Sequence, residues 1–287
     1  MSASFSQLKK TSASSLNDLS AELGKINSKT SYEDDRYWKL DVDKSQNGHA
    51  IIRFLPASKG ETVPWVRLFQ HAFQGPTGGW YIENSLTTLG KDDPVSEYNS
   101  QKWNSGIESD KDVARKQKRQ SKYISNIFVV SDPANPENEG KVFLFKYGKS
   151  IFDLLDDKMK PSFEDETPVN PFDLWNGCNF RLRARKKEGF RSYDKSEFDS
   201  SSALFDDDGE LERVWNTQHS LQELIAPDQF KSYEDLKTRF ELVIGGSDVS
   251  TSATESFDEP VANYQESVSA DESDGGLDYF KKLAEDV

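Results

Sequence analysis

Tyr123-Ile124-Ser125-Asn126-Ile127-Phe128-Val129-Val130 is a run of β-branched and aromatic residues that reads as a strand. Residues 131–140 follow as a loop carrying Pro133, Pro136 and Gly140, and Lys141-Val142-Phe143-Leu144-Phe145-Lys146-Tyr147 reads as the next strand. No helix separates the two. Upstream, residues 37–42 are strand-like, Asn47-Gly48 is a hairpin turn signal, and residues 50–56 are the expected return strand. Residues 63–73 and 80–83 continue the β pattern, with a Gly/Pro-rich turn over 75–79. Downstream, residues 179–185 predict one more strand. In this central stretch, helical spacing occurs at residues 151–159 and at Tyr233, Leu236, Phe240 and Val243, a face capped by Ser232 and ended by Gly245-Gly246. Short strands without regular strand–helix alternation predict a mainly β fold, a small barrel with helical additions, rather than a doubly wound sheet.

This body occupies residues 32–246. Residues 1–31 are Ser/Thr-rich with a Lys9-Lys10 pair and read as a mobile arm; residues 84–121 read as a polar, irregular insert. Of 287 residues, 36 are Lys or Arg and 50 are Asp or Glu, giving a net charge of −14. Residues 247–287 hold eleven of the acids and two of the bases, so −9 of that charge belongs to a tail and −5 to the rest. The average excludes a uniformly basic nucleic-acid binder, but the segregation requires the body to be judged separately. The tail predicts a disordered segment whose last stretch, residues 276–287, regains Leu277, Phe280, Leu283 and Ala284 at helical spacing. That pattern suits a docking motif on an acidic leash.

Two basic clusters stand out in the body. Arg115, Lys116, Lys118, Arg119 and Lys122 lead directly into Tyr123. Arg181, Arg183, Arg185, Lys186, Lys187 and Arg191 are interleaved with Phe190 and Tyr193. Alternation along a strand puts Arg181, Arg183 and Arg185 on one face, where three cations repel one another unless an anion sits there. A phosphate backbone supplies that anion, and nearby aromatics offer surfaces on which unpaired bases stack. The competing reading of each cluster is a solvated face. Arg53 interrupts an apolar strand, either as a third contact or as an outward position set by alternation.

Catalytic signals are weak. His49, His71 and His219 show no metal-ligand spacing, and Asp206-Asp207-Asp208 suits an acidic loop better than a two-metal nuclease site. Cys178 is the single cysteine, which excludes an intramolecular disulfide. No apolar run approaches the roughly 20 residues of a membrane span, and the N-terminus lacks a secretory block. A soluble, intracellular, non-enzymatic protein is expected.

Four stretches together resemble a known family: residues 47–56 (Asn-Gly-His-Ala-Ile-Ile-Arg-Phe-Leu-Pro), residues 80–83 (Trp-Tyr-Ile-Glu), residues 126–143, and residues 189–194 (Gly-Phe-Arg-Ser-Tyr-Asp). The chain resembles the helix-destabilising gene 32 proteins of T-even-type phages and their marine relatives. The resemblance implies an OB-fold, a five-stranded Greek-key barrel whose cleft holds single-stranded DNA, with flanking subdomains. By position it implies DNA contacts at Arg53, Tyr81, Lys118, Arg119, Tyr123, Phe190 and Tyr193, with Trp80 beside Tyr81 added to the candidates. Lys9-Lys10-Thr11-Ser12 resembles the family's motif for head-to-tail cooperativity, and Lys118-Arg119-Gln120-Ser121 is a related version. The tail is expected to recruit replication and recombination proteins such as polymerase, helicase loader and recombinase, and to cover the basic surface in the free protein. The implied location is the host cytoplasm during infection.

One departure concerns metal. Familiar family members hold zinc with one His and three Cys; here His71 matches the His, but Ser85 occupies the first Cys position, and Asp93 and Ser96 approximately fill the other two. Neutral hydroxyls and one carboxylate do not make such a site, so no zinc is expected. An RNA-binding regulator on the same barrel and a metal-dependent nuclease using Asp206–Asp208 are the rival functions.

Overall fold

The computed structural model describes residues 34–245, apart from 77 and 164. The arm over 1–31, with Lys9, Lys10, Thr11 and Ser12, and the tail over 247–287 lie outside the described residues. All elements below belong to one contact unit that begins at Arg36. In chain order they are β1 (Tyr37–Trp38), β2 (Gly48–Phe54), β3 (Val66–Gln74), β4 (Trp80–Asn84), α1 (Pro94–Asn104) and α2 (Glu108–Gln117). There follow β5 (Gln120–Ser131), β6 (Val142–Gly148), α3 (Lys149–Met159), β7 (Phe180–Lys187), β8 (Phe190–Ser192), β9 (Glu197–Phe198), α4 (Asp208–Asn216) and α5 (Tyr233–Ile244).

Among the described residues, nine strands form a mixed sheet, and the fold is mainly β with helical additions. β5 is its hub. One edge pairs with β6 along its length, from Lys122 opposite Gly148 to Phe128 opposite Val142. The other edge is shared: the first half pairs with β3, Val66 opposite Ile124, and the second with β2, Phe54 opposite Ile127. β2 carries β7 on its far side, and β8 and β9 extend β7. The core between these strands is aromatic. Phe54 is fully buried, with the rings of Tyr147 and Phe172 each 5.6 Å away, Phe180 at 5.8 Å and Phe145 at 6.4 Å. Such edge-on and tilted contacts add roughly 0.5–1.5 kcal/mol per pair to the burial itself.

Three expectations are corrected. Asn47-Gly48 closes a tight turn, in which the Asp43 carboxylate accepts from the Ser45 and Asn47 amides at 2.8 and 2.9 Å. It does not join paired strands, because β1 shrinks to two residues and pairs in parallel with β6. Gly48 is required there: a Cβ would stand 2.3 Å from the Asp41 carbonyl oxygen. The insert over 84–121 is not irregular but helical. Asp93 caps α1 by accepting from the Val95 and Ser96 amides, and Pro94 occupies the first turn, where its missing N–H has no cost. The Asp206–Asp208 stretch leads into a helix start rather than forming only an acidic loop. Asp207 accepts from the Glu210 amide and so caps α4, which buries Leu211 and Val214 against Leu55, Phe128 and Leu174. α5 follows its predicted cap, the Ser232 hydroxyl accepting from the Asp235 amide. Among the described residues no helix is long and apolar enough to cross a membrane.

Candidate nucleic-acid interface

β7 alternates as its sequence predicts: Phe180, Leu182 and Ala184 are buried, while Arg181, Arg183 and Arg185 share the opposite face at 42–46 % side-chain exposure. The anion this face needs comes from the chain itself. Arg181 Nε donates to Asp199 Oδ1 at 2.5 Å, Arg183 Nη1 lies 3.1 Å from Glu197 Oε1, and Arg185 binds Asp194 through Nε and Nη2 at 2.8 and 2.5 Å. Lys187 adds a 3.8 Å contact to Asp194. The Arg185 hydrogen bond pulls the Asp194 carboxyl down to about 2. The carboxylates reach the arginines because β9 pairs back onto β7 after the chain reverses through the β7–β8 hairpin. Its two-residue turn, Glu188-Gly189, has φ of 52° and 92°, matching the strand twist. Phe190, just past the turn, is 45 % exposed; Tyr193 is half-buried against the main core. Lys186 is exposed opposite Arg191, which donates to the Gln46 side chain at 3.2 Å.

The first cluster divides. Arg115, on α2, is held by Glu108 and Asp112 at 2.8 and 2.5 Å and lies over the Trp103 ring. Lys116 is exposed beside it. Lys118, Arg119 and Lys122 are half-buried where α2 gives way to β5. The Arg119 guanidinium sits 4.1 Å from the Phe69 ring centroid, and Arg67 approaches the same ring at 4.9 Å. Arg67 and Phe69 were not anticipated. The signal was the alternation Val66-Arg67-Leu68, with Arg67 outward between two buried residues and opposite Tyr123 in register.

Three expected contacts sit elsewhere than on the surface. Tyr81 is 1 % exposed, stacked on Phe73 at 5.2 Å and packed against Phe240 of α5, so it is a core residue. Alternation along β4 turns its neighbour Trp80 outward, at 37 % exposure. Arg53 is wholly buried, since β2 is paired on both edges and covered by the segment around Ser202, whose carbonyl accepts from Arg53 Nη2. The outward position expected from alternation is not what β2 presents at Arg53. Burial pushes the Arg53 guanidinium pKa down. Tyr123 is buried to 9 % exposure and stacks on Phe152 at 3.9 Å with an 8° interplanar angle, leaving little face for a base.

His71, Ser85, Asp93 and Ser96 do converge, in a buried polar hub joining β3, the residues after β4 and the start of α1. Asp93 Oδ2 accepts from the Ser85 hydroxyl at 3.0 Å and the Leu86 amide at 3.1 Å, while Oδ1 accepts the two capping amides. His71 Nε2 stands 3.3 Å from Asp93 Oδ1, a close electrostatic contact without good hydrogen-bond alignment. His71 Nδ1 must donate, because its 2.8 Å partner is the Gln117 carbonyl. Burial alone would raise the Asp93 carboxyl, but His71 and the surrounding donors hold it at about 2. These residues do not fit a tight zinc centre. Both carboxylate oxygens already accept two donors each, one serine is a donor to that carboxylate, and no thiolate is present.

The family described as gp32 DNA binding protein like matches residues 46–244. A protein of Enterobacteria phage T4 named single-stranded DNA-binding protein is 39% identical over 235 residues, covering 79% of this chain and 77% of that one. One of the same name from Enterobacteria phage T2 is 39% identical over 236 residues, with the same coverage.

Proposed function

Because the chain belongs to the gp32-like family of DNA-binding proteins, we propose that it is a non-enzymatic, sequence-tolerant single-stranded DNA-binding protein of a phage, acting in replication, recombination and repair. The observation that carries the reading to particular residues is the β7–β8 ribbon, where an exposed Phe190 adjoins a face of arginines. Unpaired strands present phosphates and base faces together; a duplex hides the base faces.

In this reading the sheet around β5 is an OB-fold barrel and its cleft holds the strand. Phe190 and Trp80 supply stacking faces. Arg67 and Arg119, Lys116, Lys118 and Lys122, and the basic face of β7 supply attraction for phosphates. Tyr81, Arg53 and Tyr123 act by shaping the core beneath. The insert around α1 and α2 is metal-independent, with the Asp93 hub in place of a bound ion. Lys9-Lys10-Thr11-Ser12 serves cooperativity, and the acidic tail covers the basic surface and docks replication and recombination proteins. Quenching of tryptophan fluorescence on titration with oligo(dT), repeated with a duplex of equal length, tests the function. Strong preference for the single strand is expected; equal affinity for duplex would refute it.

A further inference from the structure

The three arginine–carboxylate pairs on β7 are not equivalent. Arg185 has both prongs of its fork on Asp194, and Arg181 makes a short contact to Asp199, whose side chain is only 27% exposed. Arg183, like Arg181, is held through a single nitrogen, but at longer range. Only its Nη1 is engaged, at 3.1 Å from Glu197 and 3.5 Å from the Lys195 carbonyl, and among the described residues Nε and Nη2 have no partner. Glu197, at 58% exposure, is the most exposed of the three carboxylates. Arg183 also faces an open cleft shared with His49, Arg185, Lys195, Asn47 and Asp43, and His49 lies directly opposite it in the β2–β7 register.

We propose that Arg183 is the phosphate-binding cation of this face and Glu197 its displaceable internal counter-ion, while Arg181 and Arg185 are tethers holding residues 190–199 against β7. This rests on the single-strand-binding reading and names the contact within it. A phosphodiester offers two oxygens to a guanidinium fork, which the open Nε and Nη2 of Arg183 can meet; Arg181 also uses one nitrogen, but its partner Asp199 is far less exposed than Glu197 and it does not line the cleft. Opening its pair returns one exposed carboxylate to water, a change of small cost because exposed ion pairs contribute little. Displacing Asp194 would break a two-pronged contact and loosen the hairpin that presents Phe190. Glu197 thus sets how readily the strand is released.

The test uses the full chain, titrated with oligo(dT) across a series of salt concentrations. Arg183→Gln should weaken binding several-fold and flatten the log–log salt slope by about 0.7, the value for one phosphate on a single strand. Glu197→Gln should tighten binding about two- to fivefold. In the double variant that gain should vanish, since the carboxylate acts through Arg183. Arg185→Gln should keep the slope and instead lower amide protection over residues 190–199. A Glu197→Gln gain that persists without Arg183 would reduce the effect to long-range charge and overturn the proposal. So would an unchanged slope in Arg183→Gln, or an equal loss of slope in Arg185→Gln. Should Arg183→Gln fail to fold, Arg183→Lys keeps the charge and loses the fork; the proposal then requires weaker binding at unchanged slope, and unaltered affinity overturns it. A wild-type protein without preference for single strands would take down the function itself, a result distinct from any of these.

Discussion

Replacing Asp93 by alanine should unfold the helical insert selectively, and the size of the effect follows from its partners. Losing the carboxylate removes the N-cap of α1, which costs about 0.5–2 kcal/mol. It also strands the Leu86 amide in a buried site, at about 1–3 kcal/mol, and leaves the Ser85 hydroxyl only Thr87 Oγ1, a lost hydrogen bond of about 0.5–1.5 kcal/mol. His71 Nε2 loses the carboxylate 3.3 Å away. The total is on the order of 2–6 kcal/mol, a large share of a domain's stability. Asp93→Asn should fall between, because one amide oxygen can still cap Val95 and Ser96 while its NH2 confronts the Leu86 donor. Urea unfolding followed by circular dichroism, with hydrogen exchange resolved over residues 94–117, measures both. Protection should be lost there first in Asp93→Ala, and a chelator should leave the wild type unchanged. A loss below about 0.5 kcal/mol in Asp93→Ala, comparable to an ordinary surface substitution, would refute the hub as the insert's organiser.

Phe190→Ala should cost about 1–3 kcal/mol of affinity for oligo(dT), the contribution of one stacked base, with the melting temperature unchanged; a lowered melting temperature at unchanged affinity would contradict this. Tyr81→Ala should destabilise the fold by about 3–5 kcal/mol in chemical denaturation, as removal of a buried ring does, and any loss of DNA binding should track the unfolded fraction. Asp194 has a folded pKa near 2, below its ordinary 3.8, so its pairing stabilises the ribbon above the unfolded value and fades as pH falls through about 2. An NMR titration of its carboxyl should therefore show a midpoint near 2, shifting up toward 3.8 in Arg185→Gln.

Much of the sheet was legible because its signals are local. β5 and β7 announce themselves by β-branched and alternating residues, and α5 by a serine cap and one apolar face. The insert was not, because the face α1 buries is partly polar: Ser96 and Asn99 lie inward with Val95. Only the Asp93-Pro94 pair marked its start. β1 was misassigned for a different reason, since its partner is β6, more than a hundred residues away in sequence. Trp80 and Tyr81 must face opposite ways on a strand, but which one is buried depends on α5, whose Phe240 packs on Tyr81. Asp194, Glu197 and Asp199 were visible as acids; that they neutralise Arg181, Arg183 and Arg185 follows only from the hairpin register.

Phosphate attraction and base stacking separate cleanly when oligo(dT) is compared with an abasic strand of the same length over a range of salt. The account predicts equal salt slopes, at about 0.7 per neutralised phosphate, and an abasic strand bound more weakly by about 1–3 kcal/mol per lost stack. Equal affinity for the two strands would contradict it.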